Sequence, residues 1–258
     1  MHDRHDPPQA GLDDLVSIMR RLRDPENGCA WDRVQTFKTI APYTIEEAYE
    51  VADAIERGDM HDLKDELGDL QLQVVYHARI AEEAGAFTID DVMASVCAKM
   101  VRRHPHIFGD EAESPGWEAL KAAERGHSED QSALAHVAKA LPALKRAEKL
   151  QKRAARVGFD WPDASGPRAK IEEELAEIDA ATSDEERAAE LGDLLFSVVN
   201  YARHLGVDPE AALRESAARF EQRFRKVEDI AAKPLNEMDI DALEALWQRA
   251  KKALSTSR

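Results

Sequence analysis

Two stretches of the chain carry acids at spacings suited to divalent-cation chemistry. "IEEAYEVADAI", from Ile45, gathers Glu46, Glu47 and Glu50, and "ELGD" follows at Glu66–Asp69. "IEEELAEIDAA", from Ile171, gathers Glu173, Glu174 and Glu177, and "ELGD" returns at Glu190–Asp193. Residues three apart on a helix share a face, so Glu47 with Glu50, Glu66 with Asp69, Glu174 with Glu177 and Glu190 with Asp193 form pairs. Between the pairs there is enough chain to end one helix, turn through "RGDMH" or "TSDEE" and return antiparallel, which sets two pairs face to face. Four such carboxylates repel unless their pKa values rise or a cation neutralises them. Mg²⁺ meets that need: it takes oxygen ligands at about 2.0–2.1 Å, keeps several waters and shares its remaining positions with substrate phosphates.

Ordinary readings compete for some of these residues. Thr44-x-x-Glu47 fits a capping box, so Glu47 alone is either a helix start or a ligand. The second copy has Ile171 in place of Thr44 yet keeps Glu174 and Glu177, which capping does not explain. Surface ion pairing is the usual account of a charge run. Glu174 has Lys170 and Glu190 has Arg187 nearby, but Glu50 sits among Glu46, Glu47 and Asp53, and Glu66 between Asp62 and Asp69. Leu67, Leu70, Leu72, Leu191, Leu194, Leu195 and Phe196 point to helices that are largely buried. Gly68 and Gly192 each cost about 1 kcal/mol against alanine in a helix, which points to close approach of another helix or a packing contact. Further along the acidic face come Gln73 and Tyr76 in one copy, Ser197 and Asn200 in the other. Asn200 is either a reader of a base or ribose edge or a buried amide satisfied by backbone.

Helices must position these acids, and the composition favours them. The 258 residues are 43% hydrophobic, rich in Ala, Leu, Glu, Lys and Arg, with only 12 glycines and 11 prolines, so an all-α fold is expected. Apolar spacing predicts helices near 12–23, 44–57, 62–84, 89–103 and 117–124, then near 141–156, 168–181, 184–205, 209–232 and 239–254. Gly28, Glu47, Glu66, Arg103 and Trp117 recur in order as Gly158, Glu174, Glu190, Arg223 and Trp247, the pattern of a duplication longer than a solenoid repeat. Two related helical-bundle domains are expected, at residues 12–125 and 135–254, with a linker at 126–134. A formal charge of −16, from 35 basic and 51 acidic residues, disfavours a nucleic-acid polymer as partner. Cys29 and Cys97 form no disulfide or zinc pattern. "MHDRHDPPQAG" lacks an apolar signal core, and no run of about 18 apolar residues suits a membrane, so the cytoplasm is expected.

EExxE at Glu46–Glu50 and Glu173–Glu177, ExxD at Glu66–Asp69 and Glu190–Asp193, and "MRRLRDPENGCAWD" near the start together resemble the MazG family of tandem-domain nucleoside triphosphate pyrophosphohydrolases, over nearly the whole chain. The resemblance implies an all-α fold related to dimeric dUTPases and a helical homodimer. It implies Mg²⁺-dependent conversion of a nucleoside triphosphate and water to the monophosphate and diphosphate, with Mn²⁺ as a substitute, broad base specificity and a role in nucleotide-pool housekeeping. Glu47, Glu50, Glu66 and Asp69 form one implied metal set; Glu174, Glu177, Glu190 and Asp193 form the other. Lys170, Arg223, Arg225, Lys226 and Trp247 match nucleotide-contacting positions, although core packing explains Trp247 equally well. Metal-bound carboxylates would orient water for in-line attack at the α-phosphorus, and Glu173 or Glu174 would take its proton. "FEQRFRK" at Phe220–Lys226 reads as a continuous helix, whereas "VRRHPHI" carries only Arg102 and Arg103 before Pro105, so the C-terminal site is expected to be the main active one.

Two other classes compete. A non-catalytic helical adaptor explains the composition but not the repeated, uncompensated acids. A di-iron bundle needs Glu-x-x-His on two helices, and Glu124 to His127 is the only such spacing, inside the expected linker.

Overall fold

The computed structural model describes residues 11–109, 130 and 132–255; the expected helix at 117–124, most of the linker, and the Glu124/His127 pair lie outside them. Among the described residues every regular element is helical. The chain divides into two units, Met1–Arg125 and Gly126–Arg258.

The first unit contains α1 (Leu12–Leu22), α2 (Ala30–Arg33), α3 (Phe37–Arg57), α4 (Met60–Glu83), α5 (Ile89–Arg103) and α6 (Pro105–Phe108). Its centre is the α3–α4 hairpin. Gly58 ends α3 at φ +69°, a left-handed conformation that favours glycine. Asp59 then caps α4 by accepting from the N–H groups of His61 and Asp62 at 3.0 and 3.1 Å. Arg57 ties the turn together through Asp53 and Asp62. Met19, Ile40, Val75, Tyr76, Ala78, Ile80 and Ile89 form the core.

The second unit contains α7 (Ala143–Ala155), α8 (Ser165–Ala180), α9 (Asp184–His204), α10 (Pro209–Ile230), a 3₁₀ turn at Leu235–Glu237 and α11 (Ile240–Ser255). The α8–α9 hairpin repeats the α3–α4 hairpin. Ser183 caps α9 by accepting from Glu186 N at 3.1 Å, while Glu186 Oε2 accepts from Thr182 N at 2.8 Å. Val227, Leu246 and Ala250 anchor a core completed by Ile230, Leu235, Met238 and Trp247.

Three expectations need correction. The helix carrying Glu47 begins at Phe37 and runs through Pro42, and its N-cap is Thr36, which accepts from Thr39 N at 3.3 Å. Thr44 is therefore internal, with Oγ1 2.9 Å from His77 Nε2 on α4, and Glu47 is no capping residue. Leu67, Leu191, Leu195 and Phe196 are exposed rather than buried. A Cβ built on Gly68 or Gly192 would meet nothing within 4 Å, so no helix of the same unit presses on either glycine.

Candidate functional site

Each hairpin brings acids from both of its helices together. In the first unit one carboxylate oxygen from each of Glu47, Glu66 and Asp69 lies within 4.8 Å of the others. In the second, Glu174, Glu177 and Glu190 do the same. Glu50 and Asp193 fall outside the two triads, although both were expected in them; each is exposed on the same helix as triad members.

The crowding leaves an electrostatic signature. Burial raises Glu47 above the usual carboxylate range, reinforced by a hydrogen bond with Glu50 and the charge of Asp69. Burial also raises Glu66, with the charges of Glu50, Asp62 and Asp69 behind it. Glu177 is raised by its hydrogen bond to Glu174, which requires a proton between the two carboxyls, and then by burial. Glu174, only 2% exposed, is instead held low, first by its hydrogen bond from Lys170 at 2.8 Å. Lys170 also reaches Glu173 at 2.9 Å, and both acids raise its own pKa. Arg187, the other expected counter-charge, pairs with Asp184 at 2.7 Å and not with Glu190.

The donor chemistry of both triads is three hard carboxylate oxygens, with no sulfur or imidazole among them. Beside Glu47, Gln73 donates from Nε2 at 3.3 Å, while its Oε1 is buried without a protein partner. Such oxygen sets fit a hard divalent cation of the Mg²⁺ type.

The remaining candidates are more dispersed. Arg223 lies with its guanidinium 5.9 Å over the Trp247 ring, and Trp247 packs 5.3 Å from Phe220 against the second core. Arg225 pairs with Glu221 at 2.6 Å and Lys226 with Asp229 at 3.7 Å. Arg219, Arg223 and Lys251 line a cavity of about 250 Å³. Asn200 lies on a larger cavity of about 600 Å³, and its Oδ1 accepts from Arg203 Nε at 3.1 Å and Nη2 at 2.7 Å, so a side chain satisfies it rather than backbone. Its counterpart Tyr76 is buried, bonds Asp32 Oδ1 at 3.0 Å and is pushed up to about 12 by burial. In the first unit α5 stops at Arg103 and Pro105 opens α6, so the proline does break the basic helix.

Gln151 and the Gly158–Trp161 loop, which line the larger cavity, escaped the reading of the sequence. A signal for Gln151 exists: it is seven residues after Leu144 and three before Ala154, on the inward stripe of α7.

Comparison with known proteins agrees with this geometry. A family model described as the MazG nucleotide pyrophosphohydrolase domain matches residues 35–108, and one described as phosphoribosyl-ATP pyrophosphohydrolase matches residues 143–220. Each match contains one acid triad, which defines an all-α hydrolase of the pyrophosphohydrolase class. The chain is 48% identical over 255 residues to the nucleoside triphosphate pyrophosphohydrolase of Escherichia coli (strain K12), covering 93% of this chain and 97% of that one. It is 47% identical over 253 residues to the nucleoside triphosphate pyrophosphohydrolase/pyrophosphatase MazG of Thermotoga maritima, covering 94% and 97%. A Mycolicibacterium smegmatis nucleoside triphosphate pyrophosphohydrolase is 31% identical over 96% of this chain and 74% of its own length. The chain belongs to the MazG family of nucleoside triphosphate pyrophosphohydrolases.

Proposed function

We propose that this protein converts nucleoside triphosphates and water to monophosphates and diphosphate, with Mg²⁺ as cofactor, Mn²⁺ as a substitute and broad base acceptance. The observation that carries this reading is the acid triad built twice, each time from two helices and each time with at least one carboxyl raised. Glu174, Glu177 and Glu190 hold the cation in the second unit, and Glu47, Glu66 and Asp69 hold it in the first; Asp193 and Glu50 join their sets on binding. When bound, the cation supplies Lewis acidity at the α-phosphoryl oxygens and a counter-charge for the acids.

The chain's own residues do the rest. Glu177 releases the proton that it shares with Glu174, and Lys170 keeps Glu174 ionised. Glu173, exposed and outside the triad but tethered to Lys170, takes the proton of the attacking water. The water oxygen bonds to the α-phosphorus, the bond to the bridging oxygen breaks, and diphosphate leaves. Arg223 takes up charge on the diphosphate, with Trp247 beneath its guanidinium. Arg225 and Lys226 exchange their weak surface pairs for phosphate oxygens.

The C-terminal site is the principal one, because α10 carries its basic residues without interruption. The exposed Ile45, Tyr49 and Leu67 of the first hairpin, and Leu175, Leu191 and Leu195 of the second, become buried in a homodimer. The open space beside Gly68 and Gly192 supports the approach of partner helices. No helix among the described residues is long and apolar enough to cross a membrane, which accords with a cytoplasmic role in nucleotide-pool housekeeping. Incubation with ATP, GTP, CTP and UTP in MgCl₂, followed by product separation, tests the reaction. Monophosphate with diphosphate is expected; nucleoside diphosphate with phosphate would refute it.

A further inference from the structure

We infer that the cavity of about 600 Å³ in the second unit is the base subsite, and that Gln151 and Asn200 read one acceptor and one donor on the base. This inference rests on the proposed reaction and adds to it the residues that sense the base.

Its walls are mostly apolar and include Phe159, Trp161 and Phe196, as a flat heterocycle requires, and its volume is that of a small-molecule site. Phe196 and Asn200 share α9 with Glu190, six and ten residues further on, about 9 and 15 Å along the axis. A nucleotide phosphate at the triad therefore carries its base toward the cavity.

Two amides line the cavity, and the chemistry of their neighbours fixes both orientations. Gln151 is 6% exposed, and its Nε2 donates to the Phe196 carbonyl at 2.8 Å. A carbonyl only accepts, so the Gln151 nitrogen must face it. Gln151 Oε1 is left buried without a protein partner on a side chain that lines the cavity, a costly arrangement unless a ligand donates to it. Asn200 is oriented the opposite way. Arg203 only donates, so Asn200 Oδ1 must face the guanidinium and Nδ2 is turned away from it as a donor. Arg203 is itself held by Asp160, one oxygen of which bonds Nη1 at 2.9 Å, so the cavity loop and the asparagine are locked together.

One acceptor and one donor match the N–H and the C=O or ring nitrogen that every common base carries. The pair thus explains broad base acceptance while still requiring a base with a free N–H. The first unit has no equivalent reader, because Tyr76 replaces Asn200 and spends its hydroxyl on Asp32.

The test compares kcat/KM for UTP, 3-methyl-UTP and ribose 5-triphosphate in the wild-type protein and in Gln151→Leu. UTP has one base N–H, and methylation removes it. Wild type is expected to favour UTP over 3-methyl-UTP by about tenfold or more, and Gln151→Leu to lose most of that ratio. Equal use of UTP and 3-methyl-UTP by wild type, a comparison that needs no variant to fold, would overturn the inference. So would an unchanged ratio in Gln151→Leu. Hydrolysis of UTP with equal ratios overturns the base subsite alone, whereas no diphosphate from any nucleotide overturns the reaction as well.

Discussion

Replacing Glu190 with glutamine should separate the cost of the acid triad from its use. The substitution keeps shape and removes one of three charges whose oxygens lie within 4.8 Å. Without metal the variant should be no less stable than wild type, because the neighbours of Glu190 are Glu174 and Glu177 while Arg187 is committed to Asp184. With metal the order reverses. A free cation at 100 times its dissociation constant stabilises the unit that binds it by about 2.7 kcal/mol. For a unit the size of Gly126–Arg258, that corresponds to a rise in Tm of roughly 8–13 °C. A roughly hundredfold weaker site retains about 0.4 kcal/mol, or roughly 1–2 °C. Calorimetry with and without MgCl₂ reads both quantities. Asp184→Asn, outside the triad, should keep the full metal-induced rise, and Glu66→Gln should lose only that of the first unit. A Glu190→Gln protein that keeps the whole rise, or that is several kcal/mol less stable without metal, would refute the reasoning.

Three further outcomes are expected. Glu173→Gln should lower kcat by about 10²–10⁴-fold while the metal-induced rise in Tm stays intact, a split readable by combining kinetics with calorimetry. In the first unit Glu47 and Glu66 both have raised pKa values in the folded state. Their contribution to stability is therefore complete below the ordinary value of 4.5 and is lost as pH rises through the folded values. Tm measured in chelator should fall as pH climbs above 4.5, and MgCl₂ should remove that fall; a metal-free Tm that rises over this range would contradict the crowding argument. Leu191→Lys with Leu195→Glu should shift the sedimentation behaviour from dimer to monomer, and a wild-type protein already monomeric at micromolar concentration would contradict the homodimer.

The acids are legible in the sequence because three-residue spacing survives on any helix, and because a duplicated chain displays it twice. Helix limits are nearly as clear wherever a cap or breaker marks them, as Asp59, Thr88 and Ser183 do. The start of α3 is not legible, since Pro42 lies inside the helix and Thr44 imitates a cap. Periodicity also misplaces Leu67, Leu191 and Leu195: an apolar stripe looks the same whether it faces its own core or open space. The triads differ from the expected sets of four because the pairing of neighbouring helices decides which of two acids on a face points inward. Lys170 joins the acids because it lies one turn before Glu174, whereas Gln151 reaches its cavity through tertiary packing with α9, which spacing along one helix does not reveal.

The most direct measurement is hydrolysis of a nucleoside triphosphate in ¹⁸O-labelled water with MgCl₂, followed by mass spectrometry of both products. Attack at the α-phosphorus, organised around Glu174, Glu177 and Glu190, predicts the label in the nucleoside monophosphate. Label in the diphosphate instead would contradict it.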